Sequence, residues 1–373
     1  MLTRADFLIR DDITFLNHGS FGACPIPVFA QYQAWQLQLE RQPIAFLLRE
    51  REALMADARE KIAAYLNVSA SDIVFVTNAT SGMNIAVRSL PLQAGDEIIS
   101  TSHEYGAINR LLAFKAAKTG ARIVRHEPKL PYASDSDFTD ALFALATPRT
   151  RAIVISHITS PSALILPIAQ ICQRARQQGI LTIIDGAHAP GQLPLDLDAI
   201  GADIYAGNFH KWLCAPKGAG FLHARCEHHA WLEPLVISHG WRDGSDFVER
   251  NEWGGTRDIA AFLSVPSAID FLRAHDWDAV VADCHRLAQE AQTRICQRYD
   301  LESYSQGQFA QMVTIPLPAC DVAQVKTRLY DEYRIEIPVG MFMGHCGLRL
   351  SVAAYNNADD IEHLLAALAE LLG

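Results

Sequence analysis

Between about residues 70 and 225, short apolar runs alternate with segments of helix length. The runs Ile73–Val76, Glu97–Ser100, Arg122–Arg125, Ala152–Ser156, Leu181–Ile184, Asp203–Ala206 and Gly220–His223 predict strands. Several are apolar throughout and rich in Ile and Val, as expected where both faces of a parallel strand are covered. Ile108–Lys118 and Ile168–Gln178 predict helices between them. Strand–helix alternation at this spacing predicts an α/β fold built on a mostly parallel sheet.

The pattern changes after about residue 258. Ala260–Ala274 and Trp277–Tyr299 read as long helices. Met312–Ile315, Arg334–Ile337 and Leu348–Val352 read as strands, with helices over Val322–Glu332 and Asp359–Leu372. The expected division is a large domain over 45–257 and a smaller α+β domain over 258–373. Residues 1–44, with a helix over Pro27–Glu40, form an arm packing near the smaller domain. A chain of 373 residues is long enough for two cores.

Charge narrows the partners. The formal net charge is -10, which disfavours nucleic acid and anionic lipid as general partners. No apolar run is long enough to span a bilayer, and the first residues lack the apolar core of a signal peptide. Eight scattered cysteines without a C-x-x-C pair read as reduced thiols, so the expected location is cytoplasmic.

Four segments carry chemistry. In Val76–Asn84 a strand ends in a small polar turn that opens a helix. Free backbone N–H groups and the helix dipole suit an anion there, with Thr80 and Ser81 adding hydroxyls; a plain helix cap explains the segment equally well. In Ile183–His188, Asp185 follows an apolar strand, where ligand-binding residues collect. In Asp203–Trp212, another strand runs into His210 and Lys211 and then an apolar stretch. A lysine at such a site forms a Schiff base when its surroundings lower its pKa. In Gly347–Asn356, Arg349 sits within a strand-like alternation, suited to a carboxylate of a substrate or of the protein itself.

Taken together, these segments resemble the class V aminotransferase family of fold-type I pyridoxal-phosphate enzymes, most closely its isopenicillin N epimerase-like members. Further support comes from Phe15–Gly22, His103–Ala107, Ser156–Pro161 and Gly254–Asp258. The resemblance implies a seven-stranded, mostly parallel sheet between helices, plus a smaller α+β domain. It implies pyridoxal 5'-phosphate on Lys211, with Asp185 at the pyridine nitrogen and His188 near the ring hydroxyl. Ala79, Thr80 and Ser81 would cradle the phosphate with Asn208 and His210. Tyr105 would stack on the ring, with His103 as a second candidate, and Thr159 and Ser160 would lie near the ring hydroxyl. Arg349 would bind the substrate carboxylate, with Asn17, His18 and Gly19 nearby. Arg257, Arg242 and Trp253 are candidates for a distal carboxylate. Thr256 would reach the partner's phosphate in a homodimer.

The resemblance leads with proton removal and epimerisation at Cα of an amino acid or an amino-acid-containing metabolite. Lys211 would serve one face, and Tyr105, His103 or water the other. C–S lyase or desulfurase chemistry, transamination and a non-catalytic cofactor-binding role stay open. A desulfurase needs a thiol on a mobile loop. Cys346 is the nearest cysteine to Arg349, and the long segment that would carry such a thiol is missing between Val339 and Arg349. His223, Cys226, His228 and His229 do not have the spacing of a convincing metal site, so no metal is expected. No G-x-G-x-x-G or P-loop is present.

Overall fold

A computed structural model describes residues 2–373. Seven strands form the central sheet: β2 (Ile73–Val76), β3 (Glu97–Thr101), β4 (Arg122–His126), β5 (Thr150–Ser156), β6 (Leu181–Gly186), β7 (Ile204–Asn208) and β8 (Gly220–Ala224). Their order is β2-β8-β7-β6-β5-β3-β4, and β8 alone runs against its neighbours. This is the mostly parallel α/β sheet expected from the sequence.

The apolar runs serve two cores at once. Ile153, Ile155 and Ile184 point into one, and Val154, Ile183 and Ile204 into the other. All six are fully buried. Side chains alternate across a strand, so a strand covered on both faces must be apolar at every position.

A second, three-stranded antiparallel sheet has the order β11-β12-β9, from β9 (Met312–Pro316), β11 (Val339–Phe342) and β12 (His345–Ser351). Its core joins Val313, Ile315, Leu348 and Leu350 to helices Trp277–Tyr299, Val322–Asp331 and Ala358–Leu372. The N-terminal segment is shared. Its β1 (Thr14–Phe15) pairs with β10 (Ile335–Glu336), and Leu16 enters this smaller core. Helix Ile26–Arg41 instead lies on the side of the large core, which takes in Val28.

The structure adds β1 and β11, which the sequence pattern does not mark, and departs from that pattern in two further places. Residues 260–274 form two helices, Ala260–Leu263 and Val265–Arg273, divided at Ser264. Pro266 opens the second, where its missing N–H costs nothing. Both helices bury their apolar residues in the large core. The strand expected over 334–337 shrinks to two residues, because Arg334 takes a positive φ of 55°. No described helix is long and apolar enough to cross a membrane.

Candidate functional site

The carboxyl ends of β5, β6 and β7 open into a cavity of about 310 Å³. Asp185, Ser156 and Asn208 line it from the strand ends, and His210 and Lys211 from the turn after β7. Thr80 and Ala79 line it from the start of helix Ala79–Ser89, Gly19 and Ser20 from the N-terminal segment, and Arg349 from β12. The N-terminal segment, the start of helix Ala79–Ser89, the strand ends and β12 therefore meet here, though Ser20 and Arg349 stand at opposite ends of the chain.

Close backbone packing fixes the walls. A Cβ on Gly186, next to Asp185, would lie 2.0 Å from a ring carbon of Tyr205. Gly22 has φ +71°, and a Cβ there would meet the His210 carbonyl at 2.3 Å. This approach lets His18 Nε2 reach the Lys211 carbonyl at 2.9 Å, while its Nδ1 meets the Tyr355 hydroxyl. Burial pushes His18 down to about 3, so the ring is neutral.

Lys211 Nζ lies 3.2 Å from His188 Nε2. Burial, reinforced by the Arg349 charge, pushes the amine down to about 8, and Asp185 works against that shift. Asp185 is buried, with Oδ1 accepting from the Ala187 N–H at 3.0 Å. Burial raises its carboxyl above the ordinary range, partly offset by that hydrogen bond and by Lys211. The pair is thus poised to share charge with a ligand.

Arg349 reaches the cavity from β12. Its Nη1 donates to the Ser160 carbonyl and hydroxyl at 2.9 and 3.0 Å, and its Nη2 to Ser20 Oγ at 3.3 Å. Nε has no partner, and no carboxylate among the described residues pairs with this guanidinium. Burial pushes it down to about 10. A sheltered cation without a protein anion is costly. An internal ion pair is therefore excluded among the described residues, and a ligand carboxylate is the natural counterion.

Thr80 supplies the anion end. Asn78 caps the helix through the Ser81 N–H, and Asn208 Oδ1 takes the Ala79 N–H at 2.7 Å. The Thr80 N–H has no protein acceptor among the described residues. His210 donates Nδ1–H to the Ala219 carbonyl, and burial holds it down at about 4. Its neutral Nε2 is an acceptor, so it donates to an anion only when that anion draws a proton onto it.

Several expected contacts lie elsewhere. The Ser81 hydroxyl is used by Thr77 and Asn78. The Thr159 hydroxyl is used by Ser162 and the Leu164 N–H. His103 bonds Ser162 Oγ at 2.8 Å and faces a neighbouring cavity, whereas Tyr105 lines this one. Asn17 turns to Glu336, and His18 supports the Lys211 backbone. Arg257 donates to the Glu252 carbonyl, and Arg242 pairs with Glu249. Thr256 and Trp253 line a separate groove with Arg51 and His239. Sequence reading gave no individual role to Ser20, Phe21, Ser156 and Ile158, although Phe15–Gly22 and Ser156–Pro161 supported the resemblance. Their residue types name no chemistry, and the fold brings them to the cavity. No cluster of three or more potential metal ligands occurs among the described residues.

The family described as "Aminotransferase class-V" matches residues 30–364. The chain belongs to this family. It is 36% identical to an isopenicillin N epimerase from Amycolatopsis lactamdurans, over 96% of this chain and 95% of the relative. It is 27% identical to a probable chloroplastic L-cysteine desulfhydrase from Arabidopsis thaliana, over 97% of this chain and 83% of that one. In fold it is similar to a cysteine desulfurase from Escherichia coli, with TM-score 0.84, 24% identity, and coverage of 99% and 98%. The chain is therefore a pyridoxal 5'-phosphate enzyme of class V with the fold-type I architecture. The cavity fits that cofactor. It offers an unused helix N–H for a phosphate, a buried carboxylate for a ring nitrogen and an amine of lowered pKa for an aldehyde.

Proposed function

We propose that this enzyme removes and returns the Cα proton of an amino acid or amino-acid-containing metabolite, as an epimerase does. Arg349 carries the reading. It is a cation without a protein carboxylate, beside the Lys211 amine in one cavity. Identity of 36% and 34% to two isopenicillin N epimerases, at near-full coverage, adds support.

In this reading Lys211 holds the cofactor aldehyde, Asp185 its ring nitrogen, and Thr80 with His210 its phosphate, while His188 lies at the ring hydroxyl. The cofactor, when bound, supplies a cationic ring that draws electron density from Cα. Arg349 fixes the substrate carboxylate and so sets which Cα bond faces the ring. Lys211 Nζ takes the Cα proton as the free amine. Tyr105, whose phenol lines the same cavity, is the donor for the second face. Its selection over His103 rests on their placement, since His103 is engaged by Ser162.

Direct C–S elimination is the second reading, favoured by the desulfhydrase relatives. It shares Lys211, Asp185 and Arg349 and needs no cysteine nucleophile. We also propose a homodimer. Thr256 stands away from Lys211's cavity, and exposed Leu37, Ile44, Leu48, Val236 and Ile237 offer apolar surface for a second copy. Solution mass tests the dimer, and Thr256→Ala should weaken cofactor retention if Thr256 reaches across it.

The deciding experiment incubates the holoenzyme with an amino-acid panel in deuterated water. Deuterium at Cα with inversion is the expected result. Pyruvate or a sulfur product without inversion would favour elimination and sink the epimerase reading.

A further inference from the structure

Ser156 and Asp185 are register partners at the carboxyl ends of β5 and β6. A second buried carboxyl lies behind Ser156. Ser156 Oγ is 2.5 Å from Glu104 Oε2, and Thr101 Oγ1 is 2.6 Å from Oε1. Glu104 is only 3% exposed. Its backbone carbonyl accepts from Asn109 Nδ2, which fixes this turn ahead of Tyr105. Glu104 has no ion-pair partner within 4.0 Å among the described residues.

The charged groups facing Glu104 are Asp185 on β6 and Arg125 on β4. Arg125 Nη1 is used by Ser100 Oγ and the Thr101 carbonyl. His103, the preceding residue, turns to Ser162. Burial first, and the Asp185 charge as a smaller cause, push Glu104 up to about 7 against the two hydroxyl bonds and Arg125. Two carboxyls in one low-dielectric pocket resist ionising together.

We propose that Glu104 is a positioning residue that acts through Ser156 to set how strongly Asp185 holds the proton on the cofactor's ring nitrogen. This deepens the function proposed above and rests on Asp185 facing that nitrogen. With Glu104 neutral, Asp185 is the one anion at this end of the cavity. With Glu104 ionised, a second negative charge raises the proton affinity of the nitrogen. The ring nitrogen would then keep its proton to a higher pH than beside a neutral residue at 104, because the added charge offsets part of the loss that rising pH imposes.

The test uses holoprotein carrying cofactor labelled with ¹⁵N in the ring. In wild type the ¹⁵N shift should leave the protonated form only at a higher pH than in Glu104→Gln, the direction set by the added negative charge. Glu104→Gln should bind cofactor and lose the ring proton at lower pH. Ser156→Ala, which keeps the carboxyl but removes its hydroxyl bond, should shift the midpoint in part, and this variant carries the test if the first does not fold. Equal pH dependence in wild type and variant overturns the proposal. Asp185→Asn separates the two readings, because it should lose the protonated signal at every pH. If it keeps that signal, the assignment of Asp185 fails. If it loses the signal while Glu104→Gln titrates like wild type, only the role of Glu104 fails.

A second readout needs no cofactor. A carboxyl raised by burial costs stability as pH climbs from its ordinary value through the folded one. The melting temperature of apo Glu104→Gln should therefore gain on wild type between about pH 4.5 and 7 and level off above. A difference that is constant with pH overturns the proposal.

Discussion

Nε2 of His188 lies 3.2 Å from Nζ of Lys211, while Nδ1 of the same ring lies 3.3 Å from the indole nitrogen of Trp212. An indole N–H only donates, so Nδ1 must accept. Burial and the charges of Lys211 and Arg349 hold His188 well below the ordinary range, so the ring is neutral and its proton sits on Nε2. That proton points at the lysine, which accepts it only as the free amine. The hydrogen-bond chain and the lowered pKa of Lys211 thus agree on a neutral nucleophile. Cofactor capture by the apoenzyme should speed up as pH rises, with its midpoint at about 8. Stopped-flow absorbance measures this. A midpoint at the ordinary lysine value, about 10.4, would show that burial does not tune the amine. Lys211→Ala should lower turnover at least ~100-fold, the scale of a lost general base.

The same shift predicts a stability effect. Between about pH 8 and 10.5 the unfolded chain holds a proton on Lys211 that the folded chain does not. Stability from this group therefore rises with pH across that window, and its cost is fully present below it. Apo Lys211→Met should be more stable than apo wild type at pH 7, by on the order of 2 to 3 kcal/mol. The gap should close by about pH 11. Urea unfolding at the two pH values checks this, and a gap of equal size at both would refute it.

Arg349 separates binding from chemistry. Its guanidinium faces a cavity without a protein carboxylate to match it. Arg349→Gln should lower kcat/KM by roughly 10- to 200-fold, the worth of a charge-assisted hydrogen bond at about 1.5 to 3 kcal/mol. An amine analogue lacking the α-carboxylate should lose little from the same change. Equal losses for both compounds would mean that Arg349 shapes the cavity rather than binding the carboxylate.

Legibility in the sequence followed the distance over which each contact acts. Asp185 and Lys211 stand just past apolar strands, so local pattern and segment order were enough to single them out. Arg349 was readable as the polar member of an alternating strand, but its lack of a protein partner was not. That fact depends on Ser20 and Ser160, far away in the chain. His18 shows the limit most clearly. Its neighbours in sequence pointed to the site, yet it supports the Lys211 carbonyl, 193 residues away. Thr159 had the right chemistry, but a local turn consumes its hydroxyl. The seven sheet strands were readable because burial on both faces leaves apolar runs. The short β1 was not, since two residues carry no period, and its partner β10 was read two residues too long.

Away from the site, Arg59 and Glu252 make a sheltered ion pair at 2.8 Å. Glu252 also accepts the Phe75 N–H, so it ties helix Phe247–Glu252 to β2 at the sheet edge. Arg59→Ala would leave a buried carboxyl without its cation, at a cost of about 3 to 5 kcal/mol. The double variant Arg59→Met, Glu252→Gln should recover much of that loss. Denaturant midpoints of wild type, single and double variants form the test. Recovery near zero would show that the loss comes from the packing of the Arg59 side chain rather than from the unpaired carboxyl.

Cys346 decides whether a thiol takes part in the reaction. It stands three residues before Arg349 on β12, with Sγ 3.5 Å from the Cys320 carbonyl and 3.8 Å from Met341 Sδ. The β11–β12 hairpin closes on two residues, Met343 and Gly344, with φ of 48° and 83°. Two positive φ angles define the tight turn favoured by strand twist, so this hairpin has no slack to swing a thiol into the cavity. Cys346 does not line that cavity. A persulfide relay through it would require the β11–β12 pairing to open. Cys346→Ser should therefore leave turnover within about twofold of wild type, because an isosteric change outside the cavity removes no reacting group. Steady-state rates on the best substrate of the panel measure this. A loss of ~100-fold or more, with sulfur trapped on the wild-type protein, would replace epimerisation by thiol-dependent C–S cleavage.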